Sequence, residues 1–448
     1  MKLNISVGTP TIDSDSKISA NISCIELEAS SKVEIDFINL LPFASMANKN
    51  AVDLFLIASF VYGIDRFIDR HTYSTDGWSR ELVVTFPVYN PQLWSKLTDK
   101  TEQLLSFLTG DYWTVKFISN DLILPTSEIG EIYKAPFSQV NLFSGGLDSL
   151  IGALNFLKLN PNEKLLLVSH FDPHISARQE QIKLREKLGE RYPVGFNFIP
   201  SISVSLAYSQ LEKEKTFRSR SLLFISIAVL VADYQRLPVI VPENGTVSLN
   251  FPLSASRRSA CSTRTTHPTF LQYARELLNG LRLNSSVENI YDLKTKGEMV
   301  NECEDLDFLK TIVAISNSCG KRGHRANWTH TDKDHCGVCM PCIYRQAALQ
   351  RIVDPTGYGN SIKKGFTGRH NQTPFLLSKQ GQDFNACLDF LKKDLSDNDI
   401  RGELLINGVK DLTKLDGYVE LVKRTRIELK EWIEKAGNNN LKQKAGIV

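Results

Sequence analysis

Hydrophobic and polar positions follow two different patterns along the chain, and the clearer one begins near residue 138. Short apolar runs alternate there with helical segments, which is typical of βαβ units and of a parallel sheet with helices on both faces. The predicted strands are Val140–Phe143, Leu165–Val168, Gly195–Ile199 and Val239–Val241. The predicted helices between them are Leu147–Leu159, Ser176–Gly189 and Ser219–Tyr234. Ligands of such sheets bind at the C-terminal ends of the strands.

The flanking regions have other patterns. Residues 1–120 predict an N-terminal α+β domain with strands Lys2–Gly8, Lys32–Asn39, Arg80–Val88 and Trp113–Ser119 and helices Ala47–Ile68 and Pro91–Leu108. Residues 121–137 mix proline, glycine and polar residues, which favours a linker. Residues 138–352 form the predicted α/β domain, and residues 353–448 a helical extension with segments Gln380–Leu395 and Leu415–Lys435. The last thirteen residues, rich in asparagine, are predicted to be a frayed tail.

Composition narrows the class of protein. The chain has 448 residues with 53 basic and 50 acidic side chains, a balance that gives no reason to expect nucleic acid as a partner. The longest apolar runs, Ala51–Tyr62 and Leu222–Ala232, are shorter than the ~20 residues that span a bilayer, so both are predicted to be buried helices. With no signal-peptide pattern at its start, the chain is expected to be cytoplasmic and to have no membrane partner.

The most informative string is Asn141-Leu-Phe-Ser-Gly-Gly-Leu-Asp-Ser149, between a predicted strand and a predicted helix. Its glycines let backbone N–H groups approach a ligand, and the helix N-terminus favours an anion. Asp148 is expected to hold the loop or a magnesium ion. Without a lysine after the glycines this is not the GxxxxGK[ST] loop. It resembles the SGGxDS loop of the ATP-pyrophosphatase superfamily, which implies ATP binding by the residues Ser144, Gly145, Gly146, Asp148 and Ser149. The alternative is a structural turn capped by Asp148.

A second motif is a cluster of cysteines, formed by Cys319, Cys336, Cys339 and Cys342. This spacing predicts a tetrahedral four-thiolate zinc site with no open position, so the metal is expected to be structural. An iron–sulfur cluster is the alternative. The nearby histidines are expected to be structural; these are His324, His330 and His335. The nearby basic residues are expected to offset the thiolate charge; these are Lys321, Arg322, Arg325 and Arg345. The scattered cysteines are predicted to be buried apolar residues: Cys24, Cys261, Cys303 and Cys387.

Together, the two motifs resemble the QueC family, 7-cyano-7-deazaguanine synthase. Arg218-Ser-Arg-Ser-Leu-Leu-Phe-Ile-Ser-Ile-Ala228 is similar to the family's R-N-x-x-F-L-S-x-A helix, and Lys294–Val300 is similar to its S-K-x-E-I-V segment. The resemblance covers residues 138–352. It implies an α/β fold with a Rossmann-like ATP-pyrophosphatase (PP-loop) domain, ATP, Mg²⁺ and Zn²⁺ as cofactors, and catalytic roles for Asp148, Ser149, Arg220 and Lys296.

The chain also departs from that family. The Y-P-D-C-R segment that contacts the deazaguanine is replaced by Ser254–Pro268, and the flanking regions are additional. This layout is similar to the enlarged QueC-like proteins of anti-phage operons such as the Qat system. It implies ATP-dependent adenylation of a 7-deazaguanine carboxylate, then amine attack to give an amide conjugate or a nitrile, with a protein from the same operon as partner. The alternatives are another adenylating amide-forming or tRNA-modifying enzyme of the superfamily, or a non-catalytic scaffold.

Four further features carry expectations. Arg218 and Arg220 open a helix at the ligand edge, where they are expected to hold phosphate or carboxylate rather than form solvated surface charge. Lys296 is expected to reach phosphate, while Thr295 and Glu298 predict a capping box. The segments Arg257–His267 and Glu243–Gly245 are each candidates for the ligand crevice, with a solvated loop and a turn as the respective alternatives. Residues 1–120 lack a catalytic motif and are expected to dock the partner protein, with a domain that supports solubility or self-association as the alternative.

Overall fold

The computed structural model describes residues 1–171, 178–254, 264–360, 362, 369–370 and 373–447. In this part the chain is a mixed α/β structure with a five-stranded sheet and an eight-stranded sheet, accompanied by many helices. Within the same ranges, no helix combines the length and the apolar character that crossing a membrane requires.

The N-terminal region contains the predicted strands and the predicted helix at Ala47–Ile68, with slightly shifted bounds, and additional elements. The helix predicted at Pro91–Leu108 is interrupted at Lys96 and Leu97 and forms two helices. The strands are β1 (Lys2–Val7), β2 (Thr11–Ile12), β3 (Lys17–Cys24), β4 (Ala29–Asp36), β5 (Glu81–Val88) and β6 (Tyr112–Ser119). The helices are α1 (Leu41–Met46), α2 (Lys49–Phe67), α3 (Arg70–Tyr73), α4 (Pro91–Ser95), α5 (Thr98–Thr109) and α6 (Glu131–Lys134). Strand β3 was not predicted, although its alternate residues are buried as in any half-buried strand.

The central region alternates strands and helices. Its strands are β7 (Gln139–Leu142), β8 (Leu165–Val168), β9 (His170–Phe171), β10 (Phe196–Phe198), β11 (Ile202–Ser209), β12 (Val239–Ile240) and β13 (Val287–Glu288). Its helices are α7 (Leu147–Leu159), α8 (Arg178–Arg191), α9 (Arg220–Asp233), α10 (Gly245–Leu249), α11 (Pro268–Gly280), α12 (Lys296–Asn301), α13 (Leu306–Ile312) and α14 (Met340–Leu349). The five-stranded sheet has the order β10-β8-β7-β12-β13 and all its pairs are parallel, as predicted.

The eight-stranded sheet corrects the expectation that residues 1–120 stand apart. Its order is β6-β5-β1-β3-β4-β11-β9, with β2 beside β3. Strand β11 pairs antiparallel with β4 and parallel with β9, so two strands of the central region complete the N-terminal sheet. The predicted boundary at residue 120 therefore does not divide the sheets. The predicted linker is also packed, since Leu122, Ile129 and Phe137 are buried.

Helices α2 and α9 explain how the two sheets are joined. Residues 51–67 of α2 and residues 222–232 of α9 are all buried. Helix α2 packs on β4, β11 and α9, and α9 packs in turn on β7 and β12. Helices enclosed in this way are apolar on most sides, although α2 also buries Asp53, Asp65 and Arg66; the two predicted buried helices are confirmed.

The C-terminal region packs around a second apolar core. Its elements are β14 (Arg369–His370), β15 (Thr373–Pro374), α15 (Gln382–Lys392), α16 (Asp397–Ile406), α17 (Leu415–Ala436) and α18 (Asn439–Lys444). Short 3₁₀ helices occur at Val313–Ile315, Phe375–Leu377 and Leu412–Lys414, and a longer one, kinked at His324, at Arg322–Asn327. The predicted frayed tail is wrong, because α18 packs on α15 and α17 and buries Leu441 and Ala445 completely. Asn438 caps this helix by accepting from the Leu441 N–H at 3.1 Å.

Candidate functional site

The strand order of the parallel sheet defines one crevice. Counted along the chain, its five strands stand in the order 3-2-1-4-5, so the order reverses between β7 and β12. In open parallel sheets ligands bind outside the carboxyl ends of the two strands at such a reversal. The glycine-rich loop Ser144–Ser149 follows β7, and Glu243 and Asn244 follow β12. Both predicted crevice segments therefore lie on the same edge of the sheet.

The backbone of the glycine-rich loop is held in a tight turn. Gly145 has φ +83°, a left-handed conformation that residues with a Cβ atom rarely adopt. The Gly146 N–H donates to the Ser144 hydroxyl at 3.2 Å, and the Ser149 hydroxyl donates to the Gly146 carbonyl at 3.0 Å. Ser144 is exposed, whereas Ser149 is buried. The loop thus presents backbone N–H groups and one open hydroxyl at the start of α7.

The side-chain carboxylate of Asp148, which belongs to this loop, is surrounded by hydrogen-bond donors. The Lys296 ammonium forms a buried ion pair with one of its carboxylate oxygens. The other oxygen accepts from the Asn244 side chain at 2.6 Å and from the Asn244 N–H at 3.3 Å. Asn244 also caps α10, because its side-chain oxygen accepts from the Val247 N–H at 3.0 Å. The structure therefore brings together Asp148 and Lys296, two predicted site residues that lie 148 positions apart in the sequence. It also adds Asn244, which caps a helix rather than forming part of a plain turn.

A second carboxyl group, that of Glu243, leaves this cluster with two carboxyl groups and a single ammonium group. Burial alone would raise the pKa of Asp148, but the Lys296 ammonium lowers it to about 2. Burial raises the pKa of Glu243 well above its ordinary value, and the neighbouring Asp148 raises it further. One ammonium is thus shared by two carboxyl groups, and the protonated form is favoured at Glu243 rather than at Asp148. Carboxyl groups whose pKa values are pushed apart in a crevice are candidates for a functional site.

Arg220 lies on a neighbouring part of the same edge, against His170. Its Nε–H donates to His170 Nδ1 at 3.4 Å. Burial, followed by the Arg220 charge, lowers the pKa of His170 well below its ordinary value, so the ring is neutral. Gln181 connects this pair to the loop, because its amide donates to the carbonyls of both Ser144, at 3.2 Å, and His170, at 3.4 Å.

Other candidates face the N-terminal region instead. The Arg218 guanidinium lies 4.7 Å from the Trp78 ring centroid and donates to the Thr109 carbonyl at 3.4 Å, so the structure places it against the N-terminal region. Arg264 stacks on Phe107 at 4.3 Å, and His267 caps α11 by accepting from the Thr269 N–H. The rest of the segment Arg257–His267 that was predicted to recognise a heterocycle, residues 257–263, lies outside the described residues.

The four clustered cysteines form a compact sulfur site. All four sulfur atoms lie within 4.8 Å of one another, and those of Cys336 and Cys342 are 3.8 Å apart. Tetrahedral zinc with ligands at about 2.3 Å requires sulfurs about 3.8 Å apart, so the geometry fits such an ion. Gly337 has φ +81° and approaches Asn360 so closely that a Cβ atom would lie 2.3 Å from its carbonyl oxygen. This turn lets the N–H groups of Val338 and Cys339 donate to Cys336 Sγ.

The surroundings of the cysteines differ partly from expectation. Hydrogen bonds from the other thiols lower the pKa of Cys319, so it supplies a thiolate readily. Among the described residues no histidine belongs to the metal-binding group. Three of the basic residues expected to offset the charge bind carboxylates instead, in the pairs Lys321–Asp383, Arg322–Glu180 and Arg325–Asp334. The scattered Cys24, Cys303 and Cys387 are buried, as predicted, while Cys261 lies outside the described residues.

A short segment that was not predicted, Asn317 and Ser318, connects the glycine-rich loop to the cysteine cluster. The Asn317 N–H donates to the Gly145 carbonyl at 2.9 Å, and the Leu147 N–H donates to the Ser318 hydroxyl at 3.4 Å. The Asn317 side chain in turn accepts from the N–H of Cys319 at 2.9 Å. The metal site and the glycine-rich loop therefore meet through two residues. Their position directly before Cys319 was the only signal in the sequence.

Comparison of the chain with protein-family models, curated proteins and solved structures found no significant match.

Proposed function

We propose that the chain is a QueC-like, ATP-dependent ligase that adenylates a 7-deazaguanine carboxylate and releases pyrophosphate. The observation that carries this proposal is the Asp148–Lys296 pair beneath a glycine-rich loop at the reversal point of a parallel sheet. Helix N-termini and glycine-rich turns at that place favour phosphate groups. The absence of a lysine directly after the glycines separates the loop from ordinary triphosphatases. The motif supports a Rossmann-like PP-loop assignment of this α/β domain.

The proposed reaction begins with a carboxylate, which is a poor electrophile because it is anionic. Its oxygen attacks the α-phosphorus of ATP, pyrophosphate leaves, and an amine then displaces AMP to form an amide. With ammonia as the amine, a second adenylation and loss of AMP would yield the nitrile. The loop N–H groups of Gly146 and Leu147, which now donate to hydroxyls, would donate to the departing pyrophosphate. Lys296 adds positive charge beside them.

Metal ions take two different roles in the proposal. The four cysteines hold a structural zinc ion, since four thiolates leave no position open for substrate. Mg²⁺ usually binds through one or two carboxylates together with substrate phosphates. Asp148 is already paired with Lys296 and Asn244, so Glu243, on losing its proton, is the carboxyl group that would hold a magnesium ion entering with ATP. Such an ion would neutralise charge on the phosphates.

The acceptor amine belongs, in this proposal, to a protein from the same anti-phage operon. The supporting observation is that the chain has an eight-stranded sheet beyond the five-stranded sheet that carries the loop. Another adenylating enzyme of the superfamily, amide-forming or tRNA-modifying, is the second candidate. It is favoured by the absence of the Y-P-D-C-R segment.

The test is mass spectrometry of operon partners co-expressed with the chain in cells that make deazaguanines. We expect a partner to gain a deazaguanine-sized mass at an amine with wild-type enzyme and to stay unmodified with Asp148→Asn. A variant of an exposed residue, Glu434→Gln, serves as the matched control and should modify normally. Unmodified partners throughout, despite soluble enzyme and available deazaguanine, would contradict the proposed acceptor.

A further inference from the structure

One face of α17 contacts both elements that hold Asp148. Residues Leu421, Arg424, Thr425 and Glu428 are spaced by three and four positions, so they lie on the same side of the helix. Their partners are α10, which begins after Asn244, and α12, which begins with Lys296. This face therefore contacts both helices whose first turns carry the residues that donate to the Asp148 carboxylate, Asn244 and Lys296.

The contact with α10 is close and partly polar. The hydroxyls of Thr425 and Thr246 share a buried hydrogen bond of 2.7 Å. A Cβ atom on Gly245 would lie 2.5 Å from Leu421 Cδ2 and 2.1 Å from the Asp292 carbonyl. Because Gly245 directly follows Asn244, this packing fixes the residue that caps α10 and binds Asp148.

The contact with α12 is made by charged groups. The Glu428 carboxylate accepts from the Thr295 hydroxyl at 2.8 Å and from the Gly297 N–H at 3.1 Å. Arg424 donates to the Glu298 carboxylate at 2.6 Å. Thr295 and Glu298 also form the predicted capping box. Glu428 thus binds the residues on either side of Lys296, and a Cβ atom on Gly297 would lie 2.3 Å from its carboxylate.

We propose that Glu428 is a positioning residue of the candidate site, which fixes the first turn of α12 so that the Lys296 ammonium reaches Asp148. The C-terminal extension is then part of the site rather than an appendage. The inference rests on the proposed function only where it assigns Lys296 a role beside ATP. The charged groups around Glu428 are Lys296 and Glu298 on α12, Arg424 and Glu431 on its own helix, and Arg351 just after α14.

The first test measures the position of Lys296 without using ATP. An amine-directed reagent is applied to the folded full chain, and the rate of labelling at Lys296 is followed by mass spectrometry. In Glu428→Ala we expect Lys296 to be labelled about fivefold faster or more, because a buried ammonium becomes accessible when its helix start loosens. The matched control, Glu434→Ala on the exposed side of the same helix, should leave the rate unchanged. Unchanged labelling in Glu428→Ala overturns the inference.

The second test separates positioning from general stability. Glu428→Gln keeps an oxygen that can accept from Thr295 and Gly297, so it should restore slow labelling. In a double-mutant cycle on ATP binding, Glu428→Ala should weaken binding about tenfold in the wild-type chain but have little effect in Lys296→Met. Additive effects, or no rescue by glutamine, would contradict the proposal. If the wild-type chain binds no ATP at all, the proposed function fails, and labelling alone decides the role of Glu428.

Discussion

Two buried clusters in this chain each pair basic side chains with carboxyl groups, but they differ in how completely positive and negative charges are matched. In the N-terminal region Arg70 and Arg80 bind Asp65 and Asp111, two positive against two negative charges. Arg80 is fully buried, and its guanidinium makes two further bonds to the carbonyls of Asp65 and Ile68. In the crevice, Lys296 faces both Asp148 and Glu243.

The difference shows which cluster is structural. Burial would raise the pKa of Asp111, yet Arg80 lowers it to about 2, and the cluster needs no proton to be balanced. Asp65 also accepts from the Ser219 hydroxyl at 2.8 Å, which anchors α9 to the N-terminal region. The crevice cluster is balanced only while Glu243 holds a proton, and it lies beside a loop whose first residue, Ser144, is exposed. An unmatched carboxyl group can respond to an incoming cation or phosphate, whereas a matched network cannot.

The cysteine cluster extends the comparison, because a metal ion rather than side chains would balance its charge. We expect Cys339→Ser to lose bound metal and to lower the free energy of unfolding by more than about 5 kcal/mol, since structural zinc contributes directly to folding. Metal analysis and urea denaturation check this, with Cys387→Ser, a buried cysteine outside the cluster, as the control that should keep its metal. Iron with inorganic sulfide in the wild-type protein would refute zinc.

Breaking the matched network should be the next most damaging change. Arg80→Met leaves two buried aspartates with one arginine, and such losses cost about 3–5 kcal/mol of unfolding free energy. Arg351→Met removes an exposed pair with Glu431 and should cost less than about 1 kcal/mol. Urea denaturation of both variants gives the comparison. Equal stability of the two variants would show that the network is not what joins the regions.

The crevice cluster should tolerate the loss of a carboxylate far better than the matched network of the N-terminal region. In Asp148→Asn we expect Glu243 to release its proton and bind Lys296, so stability falls by only about 1 kcal/mol. ATP-dependent activity should nevertheless be abolished, because the loop loses its anchor. In Asp111→Asn, by contrast, we expect a loss of about 3 kcal/mol. Denaturation and activity assays on both variants test this, and a similar stability loss in each would erase the distinction.

The smallest expected effect concerns the pH dependence of stability. Burial raises the pKa of Glu428 from 4.5 to about 7. Between those values the folded chain binds more protons than the unfolded chain, so the free energy of unfolding falls as the pH rises from 5 to 8. Glu428→Gln removes this contribution and should gain about 1–2 kcal/mol relative to wild type over that range. Parallel pH–stability curves would show that Glu428 does not titrate there.

The sequence predicts the features that depend on residues close together along the chain and misses the contacts between residues that are far apart along it. The glycine-rich loop and the cysteine turn are visible because their geometry depends on neighbouring residues such as Gly145 and Gly337. Glu428 was missed because its bond to Gly297 joins residues 131 positions apart, and a glutamate on a charged helix carries no sign of its partner. Strand β11 was not predicted, and its pairing with β4 could not be, since the alternation of a strand does not specify its neighbour in the sheet.

The central claim is that the glycine-rich loop and the Asp148–Lys296 pair activate a carboxylate with ATP. The most direct measurement is exchange of labelled pyrophosphate into ATP by the full chain with 7-carboxy-7-deazaguanine, with nucleotide products analysed in parallel. The account predicts exchange that requires the carboxylate, AMP as the nucleotide product, and loss of both in Asp148→Asn. Formation of ADP and phosphate, or exchange that Asp148→Asn leaves intact, would contradict it.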